Sequence, residues 1–487
     1  MPSDAGIIVE PGGFLEVDGA KIYNKCEGEY WQGITVEGDG AQLTNSGIVQ
    51  IQPGSTLERA RQPIFSDRGG IVLAYSSDII NSGEVKFQDF EKHNISRFSG
   101  CNFTREESFT DFADSNKVWP NQMTLLNIRA LAVSSCTFTT IPRPNSTNNG
   151  AAIRGFGANF TVTGTTIDGY KVGVGSYGWL GNATGRFRVR QCTLRNNQIG
   201  IQSWASNNIN VRDNLIEGIG SYGASNDHIG MELEEGTGFT VQDNVFKGAS
   251  SATVDRYGIL AINTGSESNE IERNSFEELT VANQAEGVNN WFVFPEQGLQ
   301  YTCNTHTSNT DNDYLVMDDG IASIQGSPAL PAGNTFSGIA AAGGDFFNDS
   351  SNGITYFYYD GAADEEPVNY SGDFNPEDID VPNACQPDEP DGPVSHINPE
   401  AITDIFNLSR TDLNGLRATY DSLINGGIDK SVWVSQAASL TATTATVFKQ
   451  DLLDAAPFVT REVLEAATLR DDLFSNQDLS AMLTANP

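Results

Sequence analysis

Two short phrases recur along this chain with one common period, and that recurrence constrains the fold more than any other feature. The first, V-x-x-[C/N/T]-x-[F/I/L], begins at Phe98, Val133, Val162, Val189, Val211, Val241 and Ile271, at spacings of 35, 29, 27, 22, 30 and 30 residues. A weaker copy, PAGNTF, ends at Phe336. The second is a Gly followed by an apolar residue, at Gly173-Val174, Gly200-Ile201, Gly230-Met231, Gly258-Ile259 and Gly287-Val288, spaced by 27, 30, 28 and 29. A period in the high twenties, with two or more short β-branched or aromatic runs per unit and Gly/Asn corners, predicts a solenoid in which every coil stacks parallel strands on the next. At roughly 28 residues per coil, residues 1–372 make about 13 coils, a rod on the order of 60 Å long at about 4.8 Å per coil. The most regular part is expected from about 130 to 300. Val9 to Glu16 (VEPGGFLE) matches Ile51 to Glu58 (IQPGSTLE), which extends the repetition to the N-terminal end.

The fourth position of the first phrase reads Cys101, Cys136, Thr165, Cys192, Asn214, Asn244, Asn274. Stacked coil on coil it becomes a column of small polar residues, expected to bond side chain to side chain as identical residues do in cross-β stacks. Thr165 between Cys136 and Cys192 argues against a three-thiol cluster, and the six cysteines contain no CxxC pair. Their spacing does not give their oxidation state.

Composition then separates three regions. Residues 360–400 hold twelve acidic residues, no Lys or Arg, and seven of the 19 prolines, so 373–400 reads as an acidic, Pro-rich linker. From 401 to 487 the apolar period becomes 3.6, which predicts an α-helical module with helices over about 408–424, 440–456, 460–470 and 475–485. Ser475 and Asp478 resemble a capping box at the start of the last. The predicted fold class is therefore mainly β: a parallel β-helix solenoid over 1–372, then linker and helical module.

The 487 residues carry 28 basic and 63 acidic side chains, a formal charge of −35. Such a balance argues against nucleic acid as a general partner and against an anionic membrane face. No apolar run is long enough to cross a membrane, so no membrane insertion is expected, and the first residues lack the pattern of a signal peptide. The chain begins within a strand-like repeat and reads as a piece of a longer, secreted protein.

In the second phrase the residue after Gly should face inward, so the second and fourth after it face out. That gives outward columns of Gly175, Gln202, Glu232, Leu260, Asn289 and of Tyr177, Trp204, Glu234, Ile262, Trp291. Aromatic rings beside hydrogen-bonding groups suit a sugar surface, which makes Tyr177, Trp204, Trp291 and Gln202 candidate glycan-binding residues. Covering loops could equally bury this face. Asp227, Glu232 and Glu234, with Arg256 a coil later, are the densest charged cluster. Paired carboxylates at glycosidase spacing hydrolyse a glycosidic bond, and carboxylates with Arg and Ca²⁺ support a lyase reaction. The four histidines, His93, His228, His306 and His396, stand apart in sequence, which gives neither a multi-His metal site nor a triad. No cofactor is required; Asp311, Asp313, Asp318 and Asp319 are the candidate ligands should Ca²⁺ bind, although they lack EF-hand spacing.

The coil phrases resemble the right-handed parallel β-helix, or pectin-lyase-like, superfamily. Further phrases, WQGITV from Trp31, GLQYTCN from Gly298, PAGNTFS from Pro331, YDSLINGG from Tyr420 and AAPFVTREVL from Ala455, are similar to large β-helix proteins of Bacteroidota exported by the type-nine pathway. That resemblance implies an extracellular or cell-surface adhesin or scaffold with a polysaccharide partner. The characteristic phrases of pectate lyases and polygalacturonases are missing, so no catalytic residue carries over. The leading expectation is a glycan-binding surface protein without catalysis; the alternative is a polysaccharide lyase or glycoside hydrolase.

Overall fold

The computed structural model describes residues 1–485 except 27–28, 41–44, 107–120, 142–149, 179–185, 224–226, 251–252, 292, 342, 383–384, 386–429, 457–458 and 471. The chain divides into two compact units, Met1–Pro387 and Asp388–Pro487.

The first unit is a parallel β-helix. Among the described residues each of the first eleven coils contributes one strand to each of three long sheets, later coils add strands to the first of these alone, and the strand pairings between coils are parallel. Among the described residues the first sheet has 14 strands, from Gly6–Val9 to Tyr370–Gly372, and the second and third have 11 each, starting at Phe14–Val17 and Lys21–Tyr23. A smaller sheet of Ile324–Gln325, Ile354–Tyr359 and Phe374–Ile379 follows. The β structure thus runs through Ile379, beyond the boundary expected at 372, because Ile354 to Tyr359 pairs residue by residue with Phe374 to Ile379.

The two phrases share a period because they fill the same volume. The apolar sixth residue of the first phrase points from the third sheet toward the glycine of the second phrase, across the coil interior. A Cβ on Gly230 would sit 2.6 Å from the Phe246 ring, and one on Gly258 would sit 2.7 Å from Phe276, so a large residue on one wall demands none on the other. Phe246 and Phe276 stack at 5.1 Å, and Phe103 and Phe138 at 4.3 Å, which continues the core from coil to coil.

The corner between second and third sheets explains the rest of the first phrase. Its third residue has positive φ in every coil: Gly100, Ser135, Gly164, Gln191, Asp213, Asp243, Arg273, Cys303 and Gly333 lie between 52° and 67°. A left-handed residue turns the chain sharply and leaves the next amide buried, and the fourth-position side chains satisfy it. Asn214, Asn244 and Asn274 form the expected ladder, which extends through Asn304 and Asn334. In each rung one Oδ1 accepts from the backbone amide of the preceding Asn at 2.9–3.0 Å and from its side-chain amide at 2.8–3.1 Å. Earlier coils use smaller groups: Cys192 N donates to Asn214 Oδ1, and Cys136 N to Thr165 Oγ1. Cys101, Cys136 and Cys192 are buried free thiols in this column.

At the N-terminal end, Val9 to Glu16 and Ile51 to Glu58 make one turn, with φ of 77° at both Gly12 and Gly54. The turns stand at different corners: the first links a first-sheet strand to a second-sheet strand, the second links second sheet to third. The repetition is therefore one of local turn chemistry and not of whole coils.

The second unit contains four described helices: α1 (Lys430–Ala438), α2 (Ala445–Asp454), α3 (Arg461–Thr468) and α4 (Asn476–Ala485). The last three fall within the expected spans. The helix expected at 408–424 lies outside the described residues, and α1 lies outside the expected spans; its β-branched and aromatic Val432-Trp433-Val434 has low intrinsic helix preference. Packing overrides that preference: Trp433 and Ala437, one turn apart, join Phe448, Leu452, Val463 and Met482 in a core of their own. The capping box is present, with Ser475 N donating to Asp478 Oδ2 at 3.0 Å and Asp478 N to Ser475 Oγ at 3.2 Å.

Candidate functional site

Strand alternation on the first sheet puts Val174, Ile201, Met231 and Ile259 fully inside and the second and fourth residues after each glycine outside. Register then fixes who meets whom. Arg154, Gly175, Gln202, Glu232 and Leu260 form one outward column, and Phe156, Tyr177, Trp204, Glu234 and Ile262 the next.

Side chains from four successive coils touch in a file along the coil axis. The Arg154 guanidinium lies 5.1 Å from the Tyr177 ring centre, the Tyr177 hydroxyl donates to Gln202 Oε1, and Gln202 Nε2 donates to Glu232 Oε2 at 2.8 Å. Phe156 stacks on Tyr177 with ring centres 5.2 Å apart. Trp204 stands half-exposed between Tyr177 and Glu234 in the second column. Among the described residues Arg154 Nε has no hydrogen-bond partner, and the guanidinium is oriented by the Tyr177 side chain, its ring and its hydroxyl.

Electrostatics follow from this partial burial. Desolvation raises the Glu232 carboxyl, the Gln202 amide opposes that, and Glu234 adds a like charge. Burial likewise raises the Tyr177 phenol, against the pull of Arg154. For Glu232 the sign of the linkage is clear: the folded state holds the proton to higher pH than the unfolded state, so ionisation costs stability as pH rises from about 4.3 through the folded value. Glu232→Gln is therefore expected to match or exceed the parent in urea midpoint at neutral pH, with the difference closing near pH about 4. A variant whose midpoint falls below the parent's at neutral pH but not near pH about 4 would contradict this.

The charged cluster expected from sequence is only partly assembled. Glu232 and Glu234 share a face, as strand alternation requires. Asp227 is exposed just before the strand His228–Glu234, five residues and about 17 Å from Glu232. Arg256 pairs in register with His228 and donates to Ala249 O at 2.9 Å, so it sits about 13 Å along the strand from the level of Glu232. Asp227 and Arg256 therefore do not join the two glutamates. His228 is buried, and desolvation lowers its pKa.

Trp291 and Asn289 do not belong to the columns assigned to them. The coil after Gly258 is short, with Ile259 paired to Asn283, so Gln284 and Glu286 occupy the outward positions. Gly287 is a turn residue with φ of 68°, and Val288 is 43 % exposed rather than inward. Trp291 instead packs edge-on against Phe294 at 4.8 Å in the following loop.

The four aspartates proposed as cation ligands are dispersed as well. Asp313 is fully buried, accepting from Asn309 Nδ2 at 2.8 Å and from Ser337 N at 2.6 Å. Asp318 stands about 17 Å along the strand, accepting from Gly287 N at 3.1 Å, and Asp311 and Asp319 are exposed. Among the described residues no group of three or more His, Cys, Asp or Glu is placed to hold a metal ion.

Arg154 escaped the sequence reading because its coil has Ala152 where later coils have Gly, so the second phrase goes unrecognised there. The alignment of Ala151 to Phe156 with Val172 to Tyr177 is the signal that would have found it.

No protein-family model matches this chain, and no curated protein matches it in sequence. Several solved parallel β-helix proteins are similar in structure. PfbA, a surface adhesin of Streptococcus pneumoniae, is 9 % identical, with 72 % of this chain and 91 % of that one covered and a TM-score of 0.32. A mannuronic acid specific polysaccharide family 6 lyase from human gut microbiota is 11 % identical over 77 % and 85 % of the two chains, TM-score 0.28. The periplasmic alginate epimerase AlgG is 8 % identical over 69 % and 76 %, TM-score 0.26. Likeness at this level is of coil architecture, and the chemistry of this chain rests on its own residues. Among the described residues no helix is long and apolar enough to cross a membrane.

Proposed function

We propose that this chain is an extracellular or cell-surface β-helix protein that holds a polysaccharide along the outer face of its first sheet without cleaving it. The carrying observation is the file Arg154, Tyr177, Gln202, Glu232 beside Trp204, which offers a polar group or ring at every coil. Coils about 4.8 Å apart present these groups at close to the rise of one sugar unit in an extended chain, so a linear polymer lying along the axis meets an equivalent contact at each step. Dispersal of Asp227 and Arg256 favours binding over catalysis. Export, including by the type-nine route of Bacteroidota surface proteins, belongs to the same proposal; the disulfide between Cys303 and Cys385 supports an oxidising compartment.

A second reading, a polysaccharide lyase or glycoside hydrolase, is favoured by one observation: Glu232 and Glu234 are adjacent on the open face and both are raised by desolvation. One experiment separates the readings. The purified chain is passed over immobilised neutral and acidic polysaccharides, with and without Ca²⁺, while reducing ends and unsaturated products are assayed. Retention without product, reduced about tenfold in Trp204→Ala, is the expected result. Product that disappears in Glu232→Gln would establish the enzyme.

A further inference from the structure

The charge of this chain is strongly segregated. From Ser115 to Arg212 there are ten Lys or Arg and a single acidic residue, Asp168, whereas the other 389 residues carry 62 acidic and 18 basic side chains. Part of this basic stretch concentrates on the second sheet, a different face from the file described above. In the strand Phe187–Arg190, Phe187 and Val189 point inward, so Arg188 and Arg190 point out, and Arg186 just before the strand is exposed as well. Alternation spaces Arg188 and Arg190 by about 7 Å, and register puts Arg212 directly beside Arg190 on the next coil.

Arg212 is neutralised, with ion pairs to Asp243 at 3.0 Å and Asp213 at 3.5 Å. Arg186, Arg188 and Arg190 form no ion pair among the described residues; the guanidinium of Arg190 donates only to the neutral Asn210 Oδ1 at 3.0 Å. Arg190 shares the Asp213 carboxylate with Arg212, and Arg186 and Arg188 have no carboxylate beside them among the described residues, so neighbouring cations are under-neutralised in a chain with carboxylates to spare. An anionic ligand makes up that shortfall. Flanking positions in register are neutral and hydrogen-bonding: Thr161 beside Arg188, Thr163 beside Arg190, and Asn210 on the other side.

We propose that Arg186, Arg188 and Arg190 form a binding strip for a linear polysaccharide bearing sulfate or carboxylate groups. Guanidinium forks match either oxyanion bidentately, while the flanking hydroxyl and amide groups serve the sugar hydroxyls. A single polymer chain fits a strip one strand wide. A nucleic-acid duplex is broader and would also cover Asp213 and Asp243 on the next coils and Glu270 and Glu272 beyond them, where like charge repels it. The proposal shares only its class of partner with the first-sheet reading, and the two faces can fail separately.

The test measures binding of the full chain to heparin, which is sulfated, to polygalacturonate, which is carboxylated, and to dextran as the neutral control, at low and high salt. The expected result is salt-sensitive binding to at least one of the two anionic polymers and none to dextran through this strip. Binding should weaken about tenfold in Arg188→Ser/Arg190→Ser, and the same salt-sensitive, arginine-dependent loss should be seen when the pair is changed in a Trp204→Ala background, which removes the first-sheet contribution. Arg188→Lys/Arg190→Lys, which keeps the charge but not the fork, should recover part of the loss. Selective binding of heparin or of polygalacturonate identifies which oxyanion is read. The proposal is overturned if neither anionic polymer binds, if the double serine variant binds as tightly as the parent, or if duplex DNA binds equally well with the same arginine dependence.

Discussion

Asn244→Ala is expected to lower stability by about 3 kcal/mol. The side chain accepts from Asn214 N at 3.0 Å and from Asn214 Nδ2 at 2.8 Å, and donates to Val211 O, Gln242 O and Asn274 Oδ1 at 2.9–3.1 Å. Alanine leaves the buried Asn214 amide without an acceptor, because the left-handed Asp213 before it turns that amide away from any strand partner. An orphaned buried donor costs about 1–3 kcal/mol, and the lost donor bonds and the small cavity add to it. Urea unfolding followed by circular dichroism gives the total, and hydrogen exchange locates it: Asn214 should exchange fastest among the ladder amides. A loss below about 1 kcal/mol would mean that the column is filler and not a structural spine.

Reducing the Cys303–Cys385 disulfide is expected to cost the β unit about 2–4 kcal/mol. The bond spans 82 residues and ties Cys303, at the last corner between second and third sheets, to the chain beyond the final strand. Long closed loops lose the most denatured-state entropy, which places this bond toward the upper part of that range. Calorimetry with and without reductant, and on Cys303→Ser/Cys385→Ser, checks it: the β transition should move down while that of the helical unit, which has a separate core, should not. Coincident loss of both transitions, or no change in either, would contradict the assignment. The buried thiols of Cys101, Cys136 and Cys192 should stay unreactive toward a thiol reagent until the coils open.

Much of the candidate site was legible, but unevenly. Gln202, Glu232, Tyr177 and Trp204 follow from counting two and four residues past Gly173, Gly200 and Gly230, which are a core requirement because Leu194, Ile216 and Phe246 crowd any side chain there. The same count fails at Gly287, which resembles those glycines in sequence but serves a turn, with Ala282 at the equivalent core position. Alanine is small enough for that position, so the pattern changes letter without changing structure. Net charge misleads in the same way. A total of −35 argues against polyanionic partners, yet it conceals 98 residues with one carboxylate. Screening over about 8–10 Å makes the local balance, and not the sum, what a ligand meets.

By itself the sequence determined the coil. Two phrases of one period can bury their large and absent side chains against each other only if successive turns of chain stack in parallel, and the αL-Asn corner repeats because each rung satisfies the amide of its neighbour. Only the tertiary structure decided which side chains meet. Arg154, Tyr177, Gln202 and Glu232 are separated by 23, 25 and 30 residues, and Cys303 finds Cys385 across 82. Register between coils is set by backbone hydrogen bonds and inward alternation, whereas loops between strands lengthen and shorten freely at the surface. Distance along the chain therefore does not report neighbours across coils, and the functional faces became readable only once the rungs were aligned.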